Sequence, residues 1–148
     1  DVEVKGVLAL ESQAGYDVLE WDRNIFSSLR NFTQSDINSI VRNSTLLAIY
    51  GASSISELDN EHYRDYRKEV NILDSFTKDS PELYLMSYLI GAKTPTNVNE
   101  LYHHPFHPMA LISNATKSGT QVKALLPQVG VNTTKGEDLE QFIIRKLN

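Results

Sequence analysis

Apolar residues recur along most of this chain at the spacing of a helix. From Gly15 onward Val18, Trp21, Ile25, Leu29 and Phe32 stand three or four apart, with Asp17, Glu20, Asp22, Arg23 and Arg30 off the stripe, which predicts a helix over 16–32. Thr33 with Asp36 three residues on offers an N-cap. Ile37, Ile40, Val41, Leu47 and Ala48 then carry the period to Gly51, predicting a second helix over 35–50. Ser54-Ile55-Ser56-Glu57 has capping-box spacing, in which a serine oxygen accepts from a backbone N–H and the glutamate reaches back to the serine's own N–H. The helix it opens is expected over 56–76, with Leu58, Tyr66, Val70 and Leu73 turned inward. Thr134-Lys135-Gly136-Glu137 repeats that spacing ahead of Leu139, Phe142, Ile143 and Leu147, an amphipathic helix over 136–147. The expected core is Trp21, Ile25, Leu29, Ile40, Leu47, Val70, Leu73, Phe142 and Ile143.

Other segments read less regularly. The run from Leu83 to Ile90 suits a buried strand or a buried helix, and Ser80-Pro81-Glu82 before it favours a helix ending at Gly91, because proline fits the first helical position. Val2 to Val7 alternates like a strand. Three prolines and three histidines between Thr94 and Pro108 leave room for a short helix at Val98–Tyr102 and a further turn at Met109–Ile112. The fold class expected is therefore mainly α, a multi-helix domain over 1–148 with at most a small β element; α+β is the alternative.

Composition narrows the function. Hydrophobic content of 41% over 148 residues suits one globular core rather than a disordered chain. Residues 1–22 hold six acids against Lys5 alone, and acids and bases balance over the remainder, so no basic stripe offers itself to phosphates and a nucleic-acid partner is disfavoured. The absence of cysteine removes disulfides, thiolate metal sites and thiol nucleophiles. No apolar stretch is long enough to span a membrane. A chain starting at Asp1 rather than Met suggests a removed leader or a piece of something longer, and hence an extracytoplasmic or secreted location, with the cytoplasm as the alternative. Sequons occur at Asn31, Asn43, Asn114 and Asn132.

The densest chemistry is Tyr102-His103-His104-Pro105-Phe106-His107-Pro108. His103, His104 and His107 could form a pH-responsive or ligand-contacting loop, hold a metal, or lie in a proline-stiffened loop with imidazoles solvated or capping backbone groups. Pro105 between them disfavours a regular i,i+4 clamp, and the nearest acid is Glu100. His62, flanked by Asp59 and Asp65, reads as a helix-surface histidine. Tyr63, Tyr66, Tyr84 and Tyr88 read as core or groove lining. No phosphate loop, nucleophile elbow or dinucleotide fingerprint occurs, and no cofactor is implied.

Three short resemblances add candidates. Glu11-Ser12 after Val7-Leu8-Ala9-Leu10 resembles the catalytic Glu-Ser pair of lysozyme-like transglycosylases, which implies Glu11 as a general acid, although the downstream Gly-Leu-Met-Gln-like segment of that family is missing. Leu125 to Thr134 is similar to a helix-hairpin-helix turn, with Gln128 in place of the first glycine. Residues 16–90, through Tyr63-x-x-Tyr66, Leu73-x-x-Phe76 and Ser80 to Tyr84, resemble the front half of extracytoplasmic sensor domains of bacterial receptors, while 91–148 lack that family's succession of strands. The reading that results is a non-enzymatic binding or sensing module that receives a protein or small ligand in a groove between helices. A glycan or cell-wall hydrolase using Glu11 and a metal-binding protein using the histidine loop are the alternatives.

Overall fold

The run read as a helix over 81–90 is instead a central β-strand. In the computed structural model, which describes residues 3–42 and 46–148, β1 (Gly6–Leu10), β2 (Glu82–Met86) and β3 (Val122–Leu126) form a parallel sheet. The short β4 (Val131–Asn132) adds antiparallel to β3, giving the order β1-β2-β3-β4. The fold is α+β rather than mainly α, with 47% of residues helical and 12% in strands. Parallel strands covered on both faces read as unbroken apolar runs without alternation, so periodicity alone could not separate β2 from a helix. Pro81 also fits the position before a strand, where its missing N–H costs no ladder bond.

The two faces of β2 bury different partners. Leu83 and Leu85 turn to the main core with Ala124 and Leu126 of β3, while Tyr84 turns to the opposite face and packs on Phe142 at 5.1 Å between ring centres. Phe142 belongs to α7 (Leu139–Leu147), capped by Asp138 and Gln141 rather than by the Thr134–Glu137 pair. Lys135 and Gly136 both take positive φ and turn the chain just before that cap. On α7, Arg145 and Lys146 converge on the Glu82 carboxylate, Arg145 with both Nη atoms at 3.0 and 3.1 Å and Lys146 at 2.8 Å. Burial pushes the Glu82 carboxyl up, and the Arg145 and Lys146 bonds outweigh it and hold the group below its ordinary value. α7 also lies so close over β1 that a Cβ on Gly6 would come within 3.1 Å of Phe142 and Lys146. Ile143, expected in the core, is on the outer side of α7 and exposed.

Between β1 and β2 the chain makes short pieces rather than the three long helices expected. A 3₁₀ turn (Val18–Glu20) runs into α1 (Trp21–Asn24), and turns then lead to α2 (Gln34–Val41), whose capping box pairs Thr33 with Asp36 as the sequence suggests. The end of the helix expected over 35–50 falls partly on 43–45, outside the described residues, before α3 (Leu46–Tyr50). In place of one helix over 56–76 stand a 3₁₀ turn (Ile55–Asp59), α4 (Glu61–Glu69) and a second 3₁₀ turn (Ile72–Asp74). The apolar stripe persists through these breaks: Val18, Trp21, Ile25, Phe26, Ile37, Leu47, Leu58 and Leu73 are all buried, with Leu29, Ile40 and Val70 packed against them. Burial therefore followed most of the periodicity even where helix continuity did not; Ala48 and Tyr66, expected on the inward stripes, are exposed because the breaks turn their faces outward.

α5 (Val98–Tyr102) lies where the sequence places a short helix, but the turn expected at 109–112 is part of a 13-residue helix, α6 (Phe106–Ser118). Pro105 and Pro108 fall at its start, where neither needs to donate a backbone hydrogen bond, so the prolines open the helix instead of breaking it. The segment likened to a helix-hairpin-helix is β3, a 3₁₀ turn (Pro127–Val129) and β4. The N-terminal strand is at Gly6–Leu10, later than the alternation from Val2 indicated. Among the described residues no helix is long and apolar enough to cross a membrane.

Candidate functional site

The residues singled out in the sequence do come together, around the carboxyl end of β1, but chiefly as braces. His107 is fully buried, edge-on to Trp21 at 4.9 Å and Phe26 at 5.5 Å. Its Nδ1 accepts from the Ala14 N–H at 3.2 Å, so the proton sits on Nε2, which donates to the Leu101 carbonyl at 3.0 Å. Burial is the main reason its pKa falls to about 3. His104, also fully buried, repeats the arrangement: Nδ1 accepts from Phe106 N–H at 3.2 Å and Nε2 donates to the Lys93 carbonyl at 2.9 Å. Burial pushes its pKa down as well. Each ring thus staples separated segments of backbone in one neutral tautomer, with no nitrogen left for a metal.

His103 differs. Its Nδ1 lies 3.0 Å from the Glu11 carbonyl, and Nε2 has no partner among the described residues. Glu11 stands just beyond β1 with φ at 48°, the left-handed region a side-chain-bearing residue seldom occupies. That turn is held because its carboxylate accepts from the Ser87 hydroxyl at 2.8 Å, the Leu89 N–H at 3.2 Å and the Tyr88 N–H. Ser87 is itself buried at the end of β2. Glu11 therefore ties the carboxyl ends of β1 and β2 together, and its partners are a hydroxyl and two amides, not the second carboxylate that glycoside hydrolysis ordinarily uses. Next to it a cavity of about 400 Å³ is lined by residues including Leu89, Lys93, Thr94 and Glu100, with Glu100 already accepting from Thr96 N–H and hydroxyl at 2.8 Å. Among the described residues no group of three or more histidines and carboxylates is placed to hold a metal ion. His62 is on the exposed surface of α4.

A second locus was not singled out in the sequence. Between the turn at Val18–Glu20, α1 and α4 lies a cleft of about 520 Å³ whose lining includes Asp17, Glu20, Arg64, Arg67, Lys68 and Asp74. α4 supplies Arg64, Arg67, Lys68 and, just past its end, Asn71, at spacings of three, four and seven residues, which set them on one helical face. Arg67 is 6% exposed, a buried charge that needs a partner. It has one: Nη1 donates to Asp17 Oδ1 at 2.6 Å. Its Nε is buried with no partner among the described residues, as is Gln128 Oε1. Burial first and Asp17 second raise the Tyr50 phenol, and Tyr50 donates its hydroxyl to the Tyr16 carbonyl.

No known protein family, curated protein or solved structure matches the chain. Function must therefore be argued from side chains alone. The signal that could have found the cleft is the basic face Arg64, Arg67, Lys68 on a helix, together with the acid-rich segment holding Asp17 and Glu20; in the sequence, the acids interleaved in the basic run hide it.

Proposed function

We propose that the chain is a non-enzymatic binding module that receives a small charged ligand in the cleft between α1 and α4. The observation that carries this is Arg67, a largely buried guanidinium in the wall of the cleft whose one hydrogen bond among the described residues is from Nη1 to Asp17. A charged acceptor entering the cleft would gain a charge-assisted hydrogen bond from whatever part of the guanidinium reaches it. The strand-end cavity is the weaker candidate, because the polar groups of Glu11, Ser87, His104 and Thr96 around it are already bonded within the chain. A hydrolase reading asks Glu11 to act while both its oxygens are engaged, and a metal reading asks for ring nitrogens that His104 and His107 do not have free. The module reading also fits an extracytoplasmic setting, where a cysteine-free domain depends on its core alone.

The test is a titration of the isotope-labelled protein with acetate, inorganic phosphate, methylammonium and glycine, following the Arg67 Nε–H resonance and the backbone amides of 17–24 and 61–74. Saturable shifts confined to these residues by any one probe support the reading. No saturable shift with any of the four, or shifts centred on 87–96, overturns it.

A further inference from the structure

One edge of the sheet is left bare by the rest of the chain. β1 is the outer strand of the order β1-β2-β3-β4, and its strand partner is β2. Backbone groups alternate in direction along a strand, and the Glu11 N–H, which donates to the Met86 carbonyl at 2.8 Å, fixes the phase. Val7 and Ala9 therefore turn their N–H and C=O towards β2, and Gly6, Leu8 and Leu10 turn theirs outward. No backbone hydrogen bond among the described residues takes up these outward groups. Exposed edges are ordinarily blunted by a charge, a proline or a bulge, and the five-residue run Gly-Val-Leu-Ala-Leu has none of these. Val7, Leu8 and Leu10 are exposed along it instead.

The face beside this edge selects the occupant. Gly6, Leu8 and Leu10 alternate onto the side covered by α7, where a hollow of about 410 Å³ has a lining that includes Val4, Gly6, Leu8, Ile143 and Leu147. α7 passes too close over Gly6 to admit a Cβ, so the strand offers no side chain of its own there. At the other end of the strand Leu10 is 52% exposed. A strand laid antiparallel to β1 and centred on Leu8 sets Gly6 opposite Leu10 and Leu8 opposite itself. Every outward-facing residue then falls into a pair that exchanges two hydrogen bonds, whereas a shift by one residue sets outward groups against inward ones. Paired residues send their side chains to the same face, so Leu10 of each copy enters the hollow beside Gly6 of the other. Just beyond the ladder the same register sets Lys5 towards Glu11 and Glu3 towards Gln13, so no like charges oppose one another.

Knob, hollow and unpaired backbone thus belong to one stretch that is complementary to itself. We propose that the chain forms a two-fold dimer through β1, antiparallel and in register about Leu8, which joins the two sheets into one continuous sheet. The interface shares no lining residue with the cleft at Arg67, so the two proposals stand or fall separately.

Sedimentation velocity from low micromolar to near-millimolar concentration should show a reversible monomer–dimer equilibrium. Leu10→Lys, which sets a charge against Ile143, Leu147 and Lys146, should weaken it at least about tenfold. If that variant fails to fold, two other readouts decide the matter. Leu8→Cys places the chain's sole thiol on the two-fold axis, where paired Cα atoms lie about 5.5 Å apart and within reach of a disulfide. Mild oxidation should link it as a dimer, and should link Ile49→Cys, also at an exposed position, far less. Amide exchange at Leu8 and Leu10 should slow as the native chain is concentrated, while Val7 and Ala9, bonded to β2, stay unchanged. A monomer throughout the range, association beyond the dimer, a folded Leu10→Lys that dimerises like the native chain, no preferential linking through Leu8→Cys, or no slowing at Leu8 and Leu10 overturns the proposal.

Discussion

Acidification should begin to destabilise this protein through His107 at a pH above the ordinary carboxylate range. The ring is fully buried, and burial carries its pKa from an ordinary 6.5 down to about 3. The unfolded chain binds the proton more readily than the native one, so stability rises with pH wherever this group titrates. The contribution is fully present above pH about 6.5 and declines as pH falls, until protonation of the native state itself sets in near 3. At pH 5 the loss from this one group is about 2 kcal/mol, a large share of the roughly 5–15 kcal/mol that holds a domain of this size. His104, lowered in the same direction and also by burial, adds to it. The Glu137 carboxyl, held at about 2 by hydrogen bonds from Arg145 and Lys123, contributes stability that is present above its ordinary 4.5 and lost only below that. The histidine loss therefore begins first, from about 6.5 downward, and the Glu137 loss joins it only below about 4.5.

The measurement is urea unfolding at a series of pH values from about 7.5 to 5, on the native chain and on His107→Gln. At neutral pH the variant should be less stable by roughly 2–5 kcal/mol, because glutamine cannot satisfy both the Ala14 N–H and the Leu101 carbonyl and loses the contact with Trp21. Its stability should then fall less steeply with acid than that of the native chain, by about 2 kcal/mol over the interval. Parallel curves for the two proteins, or an NMR titration placing the native His107 near its ordinary value, would refute the argument.

Further expectations concern packing and the sheet's outer face. Leu73→Ala should cost roughly 2–5 kcal/mol in urea melts, since the side chain is buried in the main core at 8% exposure. Glu82→Gln leaves Arg145 and Lys146 without their shared carboxylate and should destabilise by about 1–3 kcal/mol, with faster amide exchange through α7 as the local readout. Gly119→Ala, at the left-handed cap of α6 with φ at 86°, should lower stability by about 1 kcal/mol while leaving the helix in place.

Much of the interior was legible because burial follows apolar spacing whatever the backbone does. Trp21, Ile25, Leu47, Leu73 and Phe142 are buried as their stripes indicate, although the helices meant to carry several of them are short or 3₁₀. What could not be read was the sheet. β2 lies between two strands and under α7, so both its faces are apolar and its period vanishes. β3 is a short apolar run interrupted by Lys123, and its end was likened to a helix-hairpin-helix turn; in the fold that lysine reaches across to Glu137. Proline misled for a related reason. It breaks a helix only from within, and here Pro105 and Pro108 stand at the start of α6, where they favour it.

Chemical potential in a sequence and chemical vacancy in a fold are different quantities, and the histidine run separates them. Three imidazoles within five residues advertise titration and metal binding, yet His104 and His107 have both ring nitrogens committed to backbone groups, and the Glu11 carboxylate accepts three bonds that hold a left-handed turn. Such groups are polar so that irregular backbone can be buried, since every interior N–H and C=O between the strands must find a partner. A binding site requires the opposite condition, a polar group held in place whose valences the chain has left unfilled. Arg67 comes nearest to it: Asp17 holds the guanidinium through Nη1 alone, in the wall of a cleft lined by charged side chains. Water reaching the guanidinium would gain less there than a ligand anion, because a charged acceptor forms the stronger bond. Saturable binding of a charged probe at Arg67 is therefore what would distinguish a binding site from a merely hydrated ion pair.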